Sequence, residues 1–144
     1  MATSCGVSKK MTRESQYPKI YDEKPISLLV MPPINNSTFA EAKDLLYNSV
    51  TRPLAEAGYY VISPLLAMDV LNAEGLCDSK KFFDAPLADF QNLFGADAVV
   101  FSVIDSWEKR DFGIATGIRY VIKSAYTNEI LFDRSCDLYL DLSI

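Results

Sequence analysis

Any chemistry in this chain would fall to carboxylates, tyrosines, lysines and amides, because its 144 residues include no histidine. That absence removes the commonest general base, the commonest metal ligand and the Ser-His-Asp arrangement together. Cys5, Cys77 and Cys136 are too few and too scattered for a zinc site. Asp133, Asp137 and Asp141 recur at every fourth residue of a strand-like stretch, which sets neighbours about 13 Å apart. Paired catalytic carboxylates stand about 5–10 Å apart, so the trio reads as a solvated face. No catalytic residue, metal or cofactor is assigned, and the chain reads as a non-enzyme. What remains is a polar group, Asn35, Asn36 and Ser37, with Ser63 further on, each just past a strand-like run. In open sheets with parallel strands, ligands sit beyond the strands' carboxyl ends. Amides and hydroxyls at a helix start could hold an anion or a peptide carboxylate there. The same residues equally suit a turn, with Ser37 or Thr38 capping the helix that follows. There is no glycine-rich phosphate loop.

The elements that would position this group start with Ile26 to Met31, an unbroken apolar run stopped by Pro32 and Pro33. A run without polar alternation is covered on both faces, as in a central strand of a parallel or mixed sheet. Phe39, Ala42, Leu45, Leu46, Val50, Leu54 and Ala57 then recur at steps of three and four, predicting an amphipathic helix that Gly58 stops. Pro53 should kink or restart it near Thr51 to Pro53, since proline lacks an N–H and clashes with the carbonyl four residues back. Tyr59 to Ser63 reads as a second strand, closed by Pro64. Leu65 to Ala73 and Pro86 to Phe94 read as further helices, each followed within two residues by a glycine.

From Ala98 onward three long strands are expected: Ala98 to Trp107, Phe112 to Tyr126, and a third carrying Phe132, Cys136, Leu138 and Leu140 on one face. A hairpin loop of Thr127, Asn128 and Glu129 would set Lys123 opposite Asp133 and Arg119 opposite Asp137, two opposite-charge pairs on a solvated face. Trp107 and the pair Tyr59-Tyr60 read as core and strand-rim packing, with a partner surface as the alternative. Cys77 in a loop and Cys136 pointing inward leave a disulfide open. The fold class is α/β with α+β character: a mixed five-stranded sheet in the order 2-1-3-4-5, about three helices, a parallel βαβ start and an antiparallel meander.

One domain suits this length, with residues 1–25 as a flexible tail and 26–144 as the domain, the strand alternation still running at Ile144 with no stop signal and continuation beyond it left open. The net charge of −5 is uneven, the tail being basic and the body strongly acidic. An acidic body repels phosphate backbones, so no nucleic-acid partner is expected. In the tail, Ala2, Thr3 and Ser4 precede Cys5, and Gly6 and a polar tract follow. That pattern is similar to a bacterial lipoprotein processing site, whose cysteine becomes the lipidated first residue, with an apolar signal segment expected upstream. A leash of about twenty flexible residues would then hold the domain roughly 25 Å from a membrane surface.

The words LLVMPPINNST, RPLAEAGYYV and GADAV carry a further resemblance. Together they resemble a family of bacterial lipoproteins of unknown function that includes a meningococcal genome-derived antigen, over roughly residues 26–107. The resemblance implies a fold similar to the amino-terminal domain of TolB and to curli-secretion lipoproteins. It also implies lipid attachment at Cys5, a cell-envelope location facing the periplasm from the outer membrane, and an accessory role in an envelope assembly. The reading is therefore an interaction module binding envelope proteins or a second copy of itself through a strand edge. A receptor for a small ligand or peptide, built on the loop after the first strand, is the alternative.

Overall fold

The structure, a computed structural model, describes residues 13–141. Two short helices, α1 (Arg13–Gln16) and α2 (Pro18–Glu23), precede β1 (Ser27–Val30) and β2 (Ile34–Asn35). Helices α3 (Ala42–Ser49) and α4 (Thr51–Glu56) lead to β3 (Tyr60–Val61), and α5 (Pro64–Ala73), α6 (Ser79–Phe82) and α7 (Ala88–Phe94) follow. The chain closes with β4 (Ala98–Arg110), β5 (Gly113–Ser124) and β6 (Ile130–Asp141).

The sheet runs β3-β1-β4-β5-β6, the path expected from sequence. β1 is parallel to both β3 and β4, while β4, β5 and β6 are antiparallel. The additional strand β2 pairs with β4 beyond the end of β1. Pro32 and Pro33 have no N–H to give the ladder, so pairing lapses after the bond from Met31 N to Val100 O and resumes beside Val103 and Ile104.

On one face, α5, α6 and α7 place Leu71, Phe82 and Phe90 against Leu29, Met31, Val99 and Phe101. On the other, α2, α3 and α4 set Ile20, Leu46 and Leu54 over Leu28, Val100, Ile118 and Ile122. The folded body therefore starts earlier than expected. Ile20 is buried and the Tyr17 ring lies 4.4 Å from that of Phe132, so the second half of the 1–25 tail belongs to the domain.

The single helix expected after the first strand is two, broken at Val50. A continuous helix would need Pro53 to bond the Ser49 carbonyl; restarting at Thr51 puts the proline in a first turn, where no N–H is required. Neither Ser37 nor Thr38 caps α3, whose N-cap is Glu41 with no side-chain bond. Helix α7 likewise starts at Ala88, after the proline.

The β5–β6 register differs from the expected one by two residues. Arg119 stands opposite Ser135, and Asp137 opposite Gly117. The hairpin loop is longer than three residues: Ser124 N bonds Glu129 O, and Asn128 adopts φ 63°, which asparagine tolerates. A two-residue shift keeps every side chain on its face, so the alternation is satisfied either way. Arg119 still reaches an aspartate, diagonally, with Nε 2.8 Å and Nη2 2.7 Å from the two Asp133 oxygens. Lys123 pairs with no aspartate. It is buried, and its ammonium donates to the Phe83 carbonyl at 2.6 Å, just past the end of α6. The face expected to be solvated is thus covered in part by the α6 loop.

Asp97 ties the parallel and antiparallel halves together. Its Oδ2 accepts from Ile26 N at 2.9 Å and Ser27 N at 3.2 Å, and its Oδ1 accepts from the Tyr126 hydroxyl at 2.8 Å. Burial pushes this carboxyl up, but the three donors outweigh it and hold the pKa below the ordinary value. A depressed carboxylate stabilises the fold above its unfolded pKa, and that stability is lost as the pH falls through the folded one. Asp97→Ala should therefore destabilise by about 1–2 kcal/mol at pH 7. The gap to wild type in urea midpoints should narrow below about pH 4, and a gap independent of pH would refute the charged clasp. Lys123→Met keeps the buried stem and loses the bond to Phe83; urea denaturation should show a loss of about 1 kcal/mol, with Lys123→Ala losing about 2–3.

Candidate functional site

The polar loop after β1 is built, and it is closed on itself. The Asn35 amide nitrogen donates to Phe39 O at 2.8 Å, and its carbonyl oxygen accepts from Ser37 N at 3.0 Å and from the Ser37 hydroxyl. Asn36 N donates to Ile104 O, with the side chain exposed. Asparagine carbonyls make such turns readily, and here the turn uses the groups a ligand would need. Ser63 lies elsewhere, at the start of α5, exposed and making no capping bond. The structure thus brings Asn35, Asn36 and Ser37 together and leaves Ser63 apart from their hydrogen-bond network. Cys5 lies outside the described residues.

What the loop does position is Phe39. Its ring stacks on Trp107 with centroids 6.1 Å apart and planes 9° from parallel. Trp107 reaches that face through an irregularity. Val99 and Phe101 point to the α5–α7 side, and strict alternation would send residue 107 there too. The extra residue at Asp105, between Ile104 and Ser106 in the ladder, reverses the alternation. Trp107 then stands opposite Thr116 and joins Ile118 on the α3 side. Gly117 fits the irregularity, since a Cβ there would lie 2.8 Å from Ser106 Oγ.

Trp107 is one end of an apolar groove of about 790 Å³. Its floor is the β4–β6 face carrying Ile118, Tyr120, Phe132 and Arg134. One wall is α3, α4 and the break between them, through Leu46, Leu54 and Val50; the other is α2 and the residue before it, through Ile20, Tyr21 and Tyr17. Burial pushes the Tyr59 and Tyr120 hydroxyls up, so both stay protonated at neutral pH. Trp107 Nε1 is buried and has no hydrogen-bond partner among the described residues. Arg134 is exposed at the rim and makes no ion pair or hydrogen bond among them. A volume in the range of about 300–1,000 Å³, apolar walls and few polar groups are the features of small-molecule sites.

Sequence reasoning missed this groove. Tyr17, Ile20 and Tyr21, with Pro18 directly after Tyr17 where it can start a helix, were the available signal within the polar tail. No three His, Cys, Asp or Glu side chains converge to hold a metal among the described residues. Cys77 and Cys136 are unpaired, the first packed on the α5–α7 side and the second opposite Ile118 on the other face of the sheet. Their thiols cannot bridge through the sheet.

Comparison with known proteins places the chain. Residues 15–127 match the family model described as "Putative lipoprotein GNA1162-like". The "Putative lipoprotein NMB1124/NMB1162" of Neisseria meningitidis serogroup B is 28% identical over 105 residues, covering 73% of this chain and 48% of that protein. The chain thus spans about half the length of the curated relative it matches. The crystal structure of lipoprotein GNA1162 from Neisseria meningitidis superposes with a TM-score of 0.72 at 21% identity, covering 81% of this chain and 82% of that one. The LpoB carboxy-terminal domain from Salmonella enterica superposes at 0.59 with 15% identity, covering 78% and 82%. These two likenesses concern the fold, whereas the family model spans most of the sequence, and on that ground the chain belongs to the GNA1162-like putative lipoprotein family.

Proposed function

We propose that this chain is a non-enzymatic accessory module of the bacterial cell envelope, lipid-anchored through Cys5, facing the periplasm from the outer membrane and acting by binding another envelope protein. Membership of a lipoprotein family supports the envelope location. The Cys5 pattern supports the anchor, and no helix among the described residues is long and apolar enough to cross a membrane. A sequence without histidine supports a binding role over catalysis.

The observation that carries the reading is the outer edge of β6. This twelve-residue strand pairs with β5 on one side only among the described residues. Its N–H and C=O groups on the other side form a template for an incoming strand, and Leu138 and Tyr139 beside it are 53% and 55% exposed. A homodimer or a heterologous partner would satisfy the same edge. The receptor reading built on Asn35, Asn36, Ser37 and Ser63 has less support, because the Asn35 and Ser37 side chains already satisfy one another.

Two measurements test this. Fractionation of the native host should find the wild-type protein with membranes and Cys5→Ala released; unchanged fractionation would retire the anchor. Hydrogen exchange of the full chain, free and then crosslinked to its envelope partner or to itself, should show β6 amides gaining protection on association, by about tenfold or more. Protection arising elsewhere while β6 stays unchanged would remove the edge from the proposal.

A further inference from the structure

With β6 taken as the docking edge, as proposed above, the side chains along it select the strand it accepts. The open stretch runs from Arg134 to Tyr139, past Phe132, on which Tyr17 packs; all of it is exposed except the half-buried Cys136. Arg134 and Leu138 lie on the groove face, and by alternation Ser135, Asp137 and Tyr139 share the opposite face with Asp133. Two charges on this stretch are left over by the fold. Asp133 accepts from Arg119 with both oxygens, whereas Asp137 stands opposite Gly117, which has no side chain to meet it. Among the described residues neither Asp137 nor Arg134 makes an ion pair or hydrogen bond.

A second copy is a poor match for this edge. Two-fold pairing of β6 with itself is antiparallel and sets each residue of the Asp137 face opposite another residue of the same face. Asp133, Asp137 and Asp141 recur at every fourth position, so in every register Asp137 meets an aspartate of the copy directly or on the diagonal, within about 8 Å. Arg134, the one cation of β6, belongs to the other face and cannot relieve that repulsion. A strand from a different protein can supply what is missing, since its side chains would stand about 5 Å from those they oppose, on the same face. Antiparallel pairing is the commoner and slightly stronger arrangement. We propose that β6 accepts an antiparallel strand of another protein with a basic residue facing Asp137 and, three positions later, an acidic residue facing Arg134, the basic residue being flanked by apolar ones opposite Leu138 and Cys136.

The probes are two end-blocked peptides of identical composition, TVKVTETV and the charge-swapped TVEVTKTV, titrated into the full chain and followed by amide NMR. Paired antiparallel, the first sets lysine against Asp137 and glutamate against Arg134, and the second sets like charges against both. The first should shift the β6 amides saturably and bind about tenfold more tightly than the second, with the difference closing as salt is raised to about 1 M. Asp137→Lys combined with Arg134→Glu changes two exposed side chains and should reverse the order of the peptides. Equal binding of both peptides at β6 would leave the edge standing and overturn the charge selection. Tighter binding of the swapped peptide to the wild type would overturn the antiparallel arrangement. Shifts confined to other elements, or no saturable shift, would overturn the edge and the selection together.

Discussion

Asp97 is where two different kinds of sheet are made to start in register. Its carboxylate accepts the first two backbone N–H groups of the β1 segment and the Tyr126 hydroxyl from the β5–β6 hairpin. Its own backbone extends the same knot. Asp97 N meets Ser27 O and Ser27 Oγ at 3.0 Å, and Ala125 N meets Asp97 O at 2.9 Å. Gly95, at φ 65°, turns the chain out of α7 into this position, a conformation other residues rarely adopt. With β1 fixed beside β4 at that point, parallel pairing can proceed through Leu28, Leu29 and Val30. The hairpin's Asn128 also accepts from Leu87 N at 2.9 Å, just before α7, so the helix and the hairpin share the anchorage.

Downstream of that knot the two faces of the sheet are covered unequally. Strands spaced about 4.8 Å apart and helices about 10 Å across mean that one helix covers about two strands. On one face α5, α6 and α7 enclose Phe90, Phe101 and Val121 completely, and Lys123 and Arg119 reach over to the Phe83 segment. On the other, α3 and α4 form one row and α2 a second, and the strip of β4, β5 and β6 between them is the groove floor. Among the described residues, the groove is the strip of a wide sheet that these helices leave uncovered. The bulge at Asp105 adds the tryptophan to it, and Phe39 braces that ring from the loop after β1. A loop whose asparagine and serine looked available for a ligand instead closes on itself and carries the Phe39 ring that packs on Trp107.

Much of the architecture was legible because burial on both faces and burial on one face leave different patterns. Leu28, Leu29 and Val30 form an uninterrupted buried run in a central strand, whereas β5, whose sequence alternates, is covered on both of its faces. The strand order follows from those patterns and from short connections. The helix break was legible in kind, since Pro53 forbids one particular bond, and its position moved to Val50 because the chain can meet that constraint a turn earlier. Tyr17 and Ile20 were passed over because a single turn of helix carries too few residues to show a period above a charged background.

The sequence by itself determined the five principal strands, which of them lie inside, the helices that flank the second strand and the one that precedes the third, and that the chain carries no histidine. These are properties of local composition and periodicity. Register, the bulge, the fate of Lys123 and the existence of the groove were decided only in three dimensions. A shift of two along β6 leaves every residue on its own face, so nothing in the alternation distinguishes one pairing from the other. Loop length, the reach of Arg119 to Asp133 and the docking of the Phe83 carbonyl on a buried ammonium choose between them. Each of those joins residues distant in the chain, and a periodic pattern carries no information about such distances.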